Sequence, residues 1–183
     1  MSEKTVNPWR TNAVRVIYDS PWLRLEEHDA INPAGKSCDY GKVCFKNQAV
    51  GILPIDEAGN TWLVGQHRYT LNAYSWEIPE GGSPAGEAPE ETAARELKEE
   101  TGLEAADIAL FCTLHTSNSV TDEEGFIYLA TGLAEGETEF EDTEDITVRK
   151  LPFEEALAMA MNGEITDAMS LAALFKYALL QGK

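Results

Sequence analysis

Runs of apolar residues interleaved with polar ones fill the first third of the chain. Ala13 to Tyr18, Trp22 to Ile31 and Lys42 to Phe45 have the composition of strands, and Asn32-Pro33-Ala34-Gly35 supplies a turn between two of them. Gln48 to Ile55 and Thr61 to Tyr69 flank Asp56-Glu57-Ala58-Gly59-Asn60, a polar connector that predicts a hairpin. Ser75 to Ile78 is a further short strand, stopped by Pro79.

The pattern changes after the Gly- and Pro-rich stretch Glu80 to Ala88, which reads as a loop. Pro89 suits a first helical turn and Gly102 suits a helix end, so a helix is predicted over Pro89 to Thr101, with Ala93, Ala94 and Leu97 on its apolar side. Ile108 to His115 and Gly125 to Thr131 return to strand character across the polar loop Thr116 to Glu124. An acidic loop, Glu135 to Asp145, leads into the strand Ile146 to Leu151. Two helices finish the chain, Pro152 to Met161 and Thr166 to Leu180, the second with apolar positions at Leu171, Leu174 and Ala178. There is no internal repeat, and the class is mixed α+β.

With 183 residues, 43% of them hydrophobic, the chain can bury roughly 70% of its unfolded surface, which fits a single domain over 1–183. It contains no apolar run near the ~18 residues that span a bilayer, and Met1 to Pro8 is polar, so a cytoplasmic location is expected. Cys38, Cys44 and Cys112 are odd in number and form no CxxC pair, which suits reduced thiols. Fourteen basic residues against 32 acidic ones argue against nucleic acid or an anionic membrane as a partner. The same imbalance means that any phosphate-bearing substrate needs local arginines or bound cations to reverse the field.

Gly81 to Leu103 reads GGSPAGEAPEETAARELKEETGL. On a helix Glu96, Glu99 and Glu100 fall at i, i+3 and i+4 and share a face, while Arg95 lies one turn from both Glu91 and Glu99. Three glutamates alone are compatible with a solvated acidic face, the commoner origin of such clusters. Set beside a glycine-rich loop, these oxygens also suit Mg²⁺ or Mn²⁺. Trp76 and Tyr74 are rings able either to stack on a base or to pack in the core. His28, His67 and His115 have no ligand spacing and read as structural.

Gly81, Glu87, Arg95, Glu96, Leu97, Glu99, Glu100, Gly102 and Leu103 match every fixed position of the nudix box, and the chain thereby resembles the nudix hydrolases. Gln66-His67-Arg68-Tyr69, Trp76-Glu77-Ile78-Pro79 and Gly163-Glu164-Ile165-Thr166-Asp167-Ala168 are similar to segments of the ADP-ribose pyrophosphatase branch. The resemblance implies a nudix-type α/β/α sandwich around a mixed β-sheet, with 1–46 as an N-terminal strand region that builds a homodimer and 47–183 as the catalytic core. It implies Mg²⁺- or Mn²⁺-dependent cleavage of the diphosphate bond in a nucleoside diphosphate sugar such as ADP-ribose.

Carried onto this chain, the resemblance makes Glu96, Glu100 and the Glu80 carbonyl metal ligands, with Glu99 sharing a second cation or its water. Arg68, Trp76 and Glu77 become substrate-binding residues. Glu144, in the acidic loop two residues before Ile146, becomes the base that activates water, with Glu141 and Asp142 as alternatives. The branch carries a proline sixteen residues after the second box glycine, where this chain has Asn118, so a broader nucleoside diphosphate sugar preference fits as well as ADP-ribose. Other readings are a nudix enzyme for nucleoside triphosphates or dinucleoside polyphosphates, and a nucleotide-sensing module without catalysis. Met1 to Lys46 ahead of the core disfavours the first, and the complete set of box glutamates disfavours the second.

Overall fold

A computed structural model describes residues 6–136 and 145–182. The chain groups into two compact units, one of residues up to Asn47 with His115–Glu123, the other of Gln48–Leu114 with Glu124–Lys183.

The first unit is an antiparallel meander of β1 (Arg10–Asp19), β2 (Leu23–Ile31) and β3 (Ser37–Phe45), in that order. Its second turn falls at the predicted Asn32-Pro33-Ala34-Gly35. Asn32 Oδ1 accepts the amides of Ala34 and Lys36, each at 3.0 Å, and Gly35 adopts φ +77°. The 115–123 segment lies along β3, where the Val43 amide donates to the Val120 carbonyl at 2.9 Å and the Tyr40 hydroxyl to the Ser119 carbonyl at 2.6 Å. Buried Glu26 is satisfied by Arg24 at 2.8 Å and His28 Nε2 at 2.9 Å, which gives His28 the structural role expected of it. β1 is exposed along its whole length.

In the second unit, β4 (Gln48–Pro54) pairs antiparallel with β7 (Glu80–Ser83) and parallel with β9 (Glu124–Glu135), which makes the sheet β7-β4-β9-β8 mixed; β8 is Leu103–His115. A second sheet has the order β10-β5-β6, from Thr147–Pro152, Asn60–Arg68 and Ala73–Glu77. Among the described residues three helices pack on them: α1 (Pro89–Thr101), α2 (Phe153–Met161) and α3 (Ala168–Leu180).

Successive strand residues point to opposite faces, and this divides the core in two. Val50 and Ile52 of β4, Trp62 of β5, and Tyr128 and Ala130 of β9 pack with Ala93 and Leu97 of α1. Their neighbours Leu53, Leu63 and Ile127 pack instead with Phe153, Ala156 and Met159 of α2 and Met169, Ala173 and Leu174 of α3. Helices therefore cover both faces of the strand layer, and the architecture is the α/β/α sandwich that the resemblance implied.

Three local expectations need correction. Gln48 to Ile55 and Thr61 to Tyr69 do not pair as the expected hairpin: among the described residues β4 pairs with β7 and β9 and β5 with β10 and β6, because a polar turn sets a chain reversal but not the strand's partner. Glu80 to Ser83 is strand rather than loop, because its register with Gln48–Gly51 supplies ladder bonds that glycine's poor strand propensity does not reveal. Ala94 is exposed, and the inward face of α1 consists of Thr92, Ala93, Glu96, Leu97 and Glu100. All three cysteines are free thiols, with Cys44 buried and Cys38 and Cys112 half-buried. Among the described residues no helix is long and apolar enough to cross a membrane.

Candidate active site

α1 begins and ends where its sequence dictates. The Glu91 carboxylate accepts the Ala88 amide at 3.2 Å, Glu90 and Glu91 complement the positive end of the helix dipole, and Gly102 closes the helix at φ +71°. Fully buried Leu97 contributes about 2 kcal/mol of apolar burial to its docking. That docking carries Glu96 (9% exposed) and Glu100 (2% exposed) inward against β7.

At β7 the Glu80 amide donates to Glu100 Oε2 at 2.9 Å. Next to it, a Cβ on Gly81 would stand 2.0 Å from Glu96 Oε1, so the first box glycine is what lets a carboxylate lie on the backbone. Glu99 is less buried and turns toward Arg95. Arg95 ties loop to helix: its Nε donates to Glu87 Oε1 at 3.1 Å, its Nη1 to Glu96 Oε1 and Glu99 Oε2 at 2.8 Å each, and its Nη2 to the Gly82 carbonyl at 3.3 Å. Of the two partners expected for Arg95, Glu99 is taken, while Glu91 caps the helix. The Arg95 guanidinium holds the Glu87 carboxyl below the usual carboxylate range.

A second arginine centre lies at the end of β5. Arg68 Nε donates to Glu77 Oε1 at 3.0 Å and Oε2 at 3.1 Å, and its Nη2 contacts Glu77 Oε2 and, at 3.1 Å, Glu80 Oε1. Burial works against the Glu77 carboxylate, but the guanidinium outweighs it and keeps the group below its ordinary range. Burial also pushes the Glu80 carboxyl well above that range, and Asp167 and Glu77 add to the effect. Among the described residues the buried Glu80 Oε2 has no hydrogen-bond partner. The corner between β6 and β7 is pinned by the Ser170 hydroxyl, which accepts the Ile78 amide at 2.9 Å, while Asp167 caps α3 by accepting the Ser170 amide at 2.7 Å.

Trp76 is half-buried, edge-on to Tyr74 with centroids 5.5 Å apart, and 5.9 Å from the Arg149 guanidinium carbon. Gly65 on the neighbouring strand makes room for both rings, since a Cβ there would lie within 2.8 Å of Trp76 and 2.4 Å of the Tyr74 hydroxyl.

The fold thus gathers Glu80, Glu96, Glu99 and Glu100 around the α1–β7 contact and joins Arg68 to Glu77 and Glu80. Glu144, with Glu141 and Asp142, lies outside the described residues. Sequence reading missed the Glu80 side chain, Ser170, Asp167 and Arg149. It also missed the link from Arg68 to Glu77, because in the β5–β6 register Glu77 faces Val64 and Arg68 faces Ala73. A cavity of about 520 Å³ lined by Asp56, Trp62, Leu103, Glu135 and Lys150 contains none of the anticipated site residues.

Residues 46–172 match the NUDIX domain family. The chain is 41% identical over 127 residues to the ADP-ribose pyrophosphatase of Mycobacterium tuberculosis, an alignment that covers 68% of this chain and 61% of that protein. It is 31% identical over 167 residues to the ADP-ribose pyrophosphatase of Bacillus subtilis, covering 90% of each. A crystal structure of an ADP compounds hydrolase superposes with a TM-score of 0.85 at 23% identity, over 98% of this chain and 99% of the other, a likeness of fold. Similarity therefore extends well outside the box helix, and the chain belongs to the nudix family of hydrolases.

Proposed function

We propose that this enzyme hydrolyses the diphosphate bond of nucleoside diphosphate sugars such as ADP-ribose, releasing a nucleoside monophosphate and a sugar phosphate, with Mg²⁺ or Mn²⁺ as cofactor. The observation that carries this reading is the oxygen-rich surface where α1 meets β7, with two buried carboxylates, Glu96 and Glu100, laid against the backbone of Glu80 and Gly81. Oxygen donors of this kind fit hard divalent cations. Among the described residues no three acidic, His or Cys side chains converge closely enough to cage an ion by themselves. Two carboxylates and a carbonyl leave positions for water and substrate phosphate, the arrangement that Mg²⁺ favours.

In this reading Glu96, Glu100 and the Glu80 carbonyl hold one cation, and Glu99 shares a second cation or its water. A bound cation supplies positive charge and lowers the pKa of a water. Among the described residues six carboxyl groups, on Glu77, Glu80, Glu87, Glu96, Glu99 and Glu100, gather about the guanidiniums of Arg68 and Arg95, so an anionic substrate gains from that added charge. Arg68 binds substrate phosphate, Trp76 flanks the bound ligand, and Glu144 takes the proton of the attacking water. The identity of the two pyrophosphatase relatives supports the choice of substrate class. We further propose a homodimer built through β1–β3 and a reducing, cytoplasmic setting, which suits three free thiols.

The test is product analysis with Mg²⁺ and a panel of ADP-ribose, GDP-mannose, UDP-glucose, nucleoside triphosphates and diadenosine polyphosphates. Monophosphate plus sugar phosphate from the first three is the expected result. Turnover confined to triphosphates or dinucleoside polyphosphates overturns the assignment, and no turnover with any of them points to a sensing module.

A further inference from the structure

We propose that Glu77 is a positioning residue, which touches no substrate itself and acts by fixing the Arg68 guanidinium as an anion-binding fork. The inference rests on the phosphate role proposed for Arg68 and gives Glu77 an indirect part in substrate binding.

Both oxygens of Glu77 are committed to Arg68, one receiving Nε at 3.0 Å and the other receiving Nε at 3.1 Å together with Nη2. The Glu77 side chain is 4% exposed and that of Arg68 is 34% exposed. A ligand arriving from outside can reach the guanidinium, but the carboxylate lies behind it. Glu80 Oε1 takes the remaining contact to Nη2, at 3.1 Å. Among the described residues Nη1 has no partner, which leaves a nitrogen with two N–H donors on a side chain that is itself partly exposed.

The register shows that the two are not directly opposed: Arg68 faces Ala73 on β6 while Glu77 faces Val64, and the two side chains together span the offset. A free arginine side chain samples many rotamers and loses that freedom on binding a phosphate. Held at Nε and Nη2, the guanidinium has lost it beforehand, and planar recognition of phosphate through the third nitrogen is pre-organised. As a purely structural device the pair would be poorly placed, because a charge pair that is buried at one end and wet at the other adds little to stability.

The experiment is a double-mutant cycle read by calorimetric binding of ADP and of adenosine to the full chain in Mg²⁺. Glu77→Gln keeps the shape and removes the charge, and is expected to weaken ADP roughly tenfold while leaving adenosine unchanged. In an Arg68→Ala background the same substitution is expected to change ADP affinity by less than about twofold. Arg68→Lys keeps the charge but loses the fork, and is expected to weaken ADP roughly tenfold as well; if Glu77→Gln does not fold, Glu77→Asp, which keeps the charge and shortens its reach, takes its place in the cycle with the same expected outcomes. The proposal is overturned by an equal Glu77→Gln effect in the Arg68→Ala background, which means direct contact, or by parallel loss of ADP and adenosine, which means a structural role. Wild-type affinity in Glu77→Gln or Arg68→Lys, or no ADP binding by the wild type, overturns it as well. Turnover of ADP-ribose by the same wild-type preparation tests the hydrolase reading separately, so either can fail while the other stands.

Discussion

Gly81 has no room for a side chain, since a Cβ would lie 2.0 Å from Glu96 Oε1 and 2.1 Å from its Cδ. Gly81→Ala must therefore displace the Glu96 carboxylate, and a loss of about 10²-fold or more in kcat/KM is expected with the circular dichroism spectrum unchanged. Activity within a few-fold of wild type would mean that the Glu96 position is not critical. Glu100 makes a complementary probe. Its Oε2 already accepts the Glu80 amide at 2.9 Å, and Glu100→Gln keeps its size while removing a charge from the proposed cation site. Turnover at saturating Mg²⁺ is expected to drop by about 10² or more, and Mn²⁺ affinity measured by calorimetry to drop with it. Unchanged Mn²⁺ affinity removes Glu100 from the ligand set. For the base, Glu144→Gln is expected to lower kcat by on the order of 10² with KM nearly constant. If Asp142→Asn shows that loss instead, the base stands two residues upstream.

The β4–β5 connection shows how a short element carries stability. Asp56 Oδ1 accepts the amides of Ala58 at 3.0 Å and Asn60 at 2.8 Å, Lys150 Nζ stands 3.1 Å from Oδ2, and Gly59 takes the positive φ of +79°. The Asn60 side chain, first among these contacts, holds the Asp56 pKa down to about 2 from 3.8. A carboxyl whose folded pKa is depressed stabilises above its unfolded pKa and loses that contribution as pH falls through the folded value. Acid unfolding of the wild type is therefore expected to include a component between pH 3.8 and about 2 that Asp56→Ala lacks. At neutral pH that variant is expected to melt lower by roughly 2–8 °C, from about 1–2 kcal/mol of lost turn bonding. Equal acid profiles for the two proteins contradict the linkage. The Asp56–Asn60 turn was legible because its bonds are local, although β4 and β5 enter different sheets and do not form the expected hairpin, and α1 was legible because proline, glycine and the apolar spacing agree. β7 was not, because glycines become strand only when β4 offers them a register. The inward face of α1 was half legible: Ala93 and Leu97 follow the apolar rule, while buried Glu96 and Glu100 break it, the local inconsistency characteristic of a functional site. The Arg68 to Glu77 link was invisible, since no rule of spacing connects residues whose strand partners are Ala73 and Val64.

At the scale of the whole molecule the feature that calls for a partner is β1. Every residue of this strand is exposed, and Val14, Val16, Ile17 and Tyr18 are each 48–57% exposed, with Trp22 beside them at 72%. Scattered apolar residues on a surface need no explanation, but a contiguous run along one edge strand is a liability that a chain in solution covers or aggregates through. The strong net negative charge keeps copies apart except where the contact surface is itself apolar, and β1 offers such a surface. Static light scattering at micromolar concentration is thus expected to give about twice the chain mass of 20.1 kDa. Val14→Asp combined with Val16→Asp puts two like charges on the strand and is expected to return the mass to that of one chain. The substituted residues pair with His28 and Glu26 on β2, so the circular dichroism spectrum must be compared to show that the meander persists. A monomeric mass for the intact chain rejects the dimer, and a dimer that survives both substitutions moves its interface away from β1.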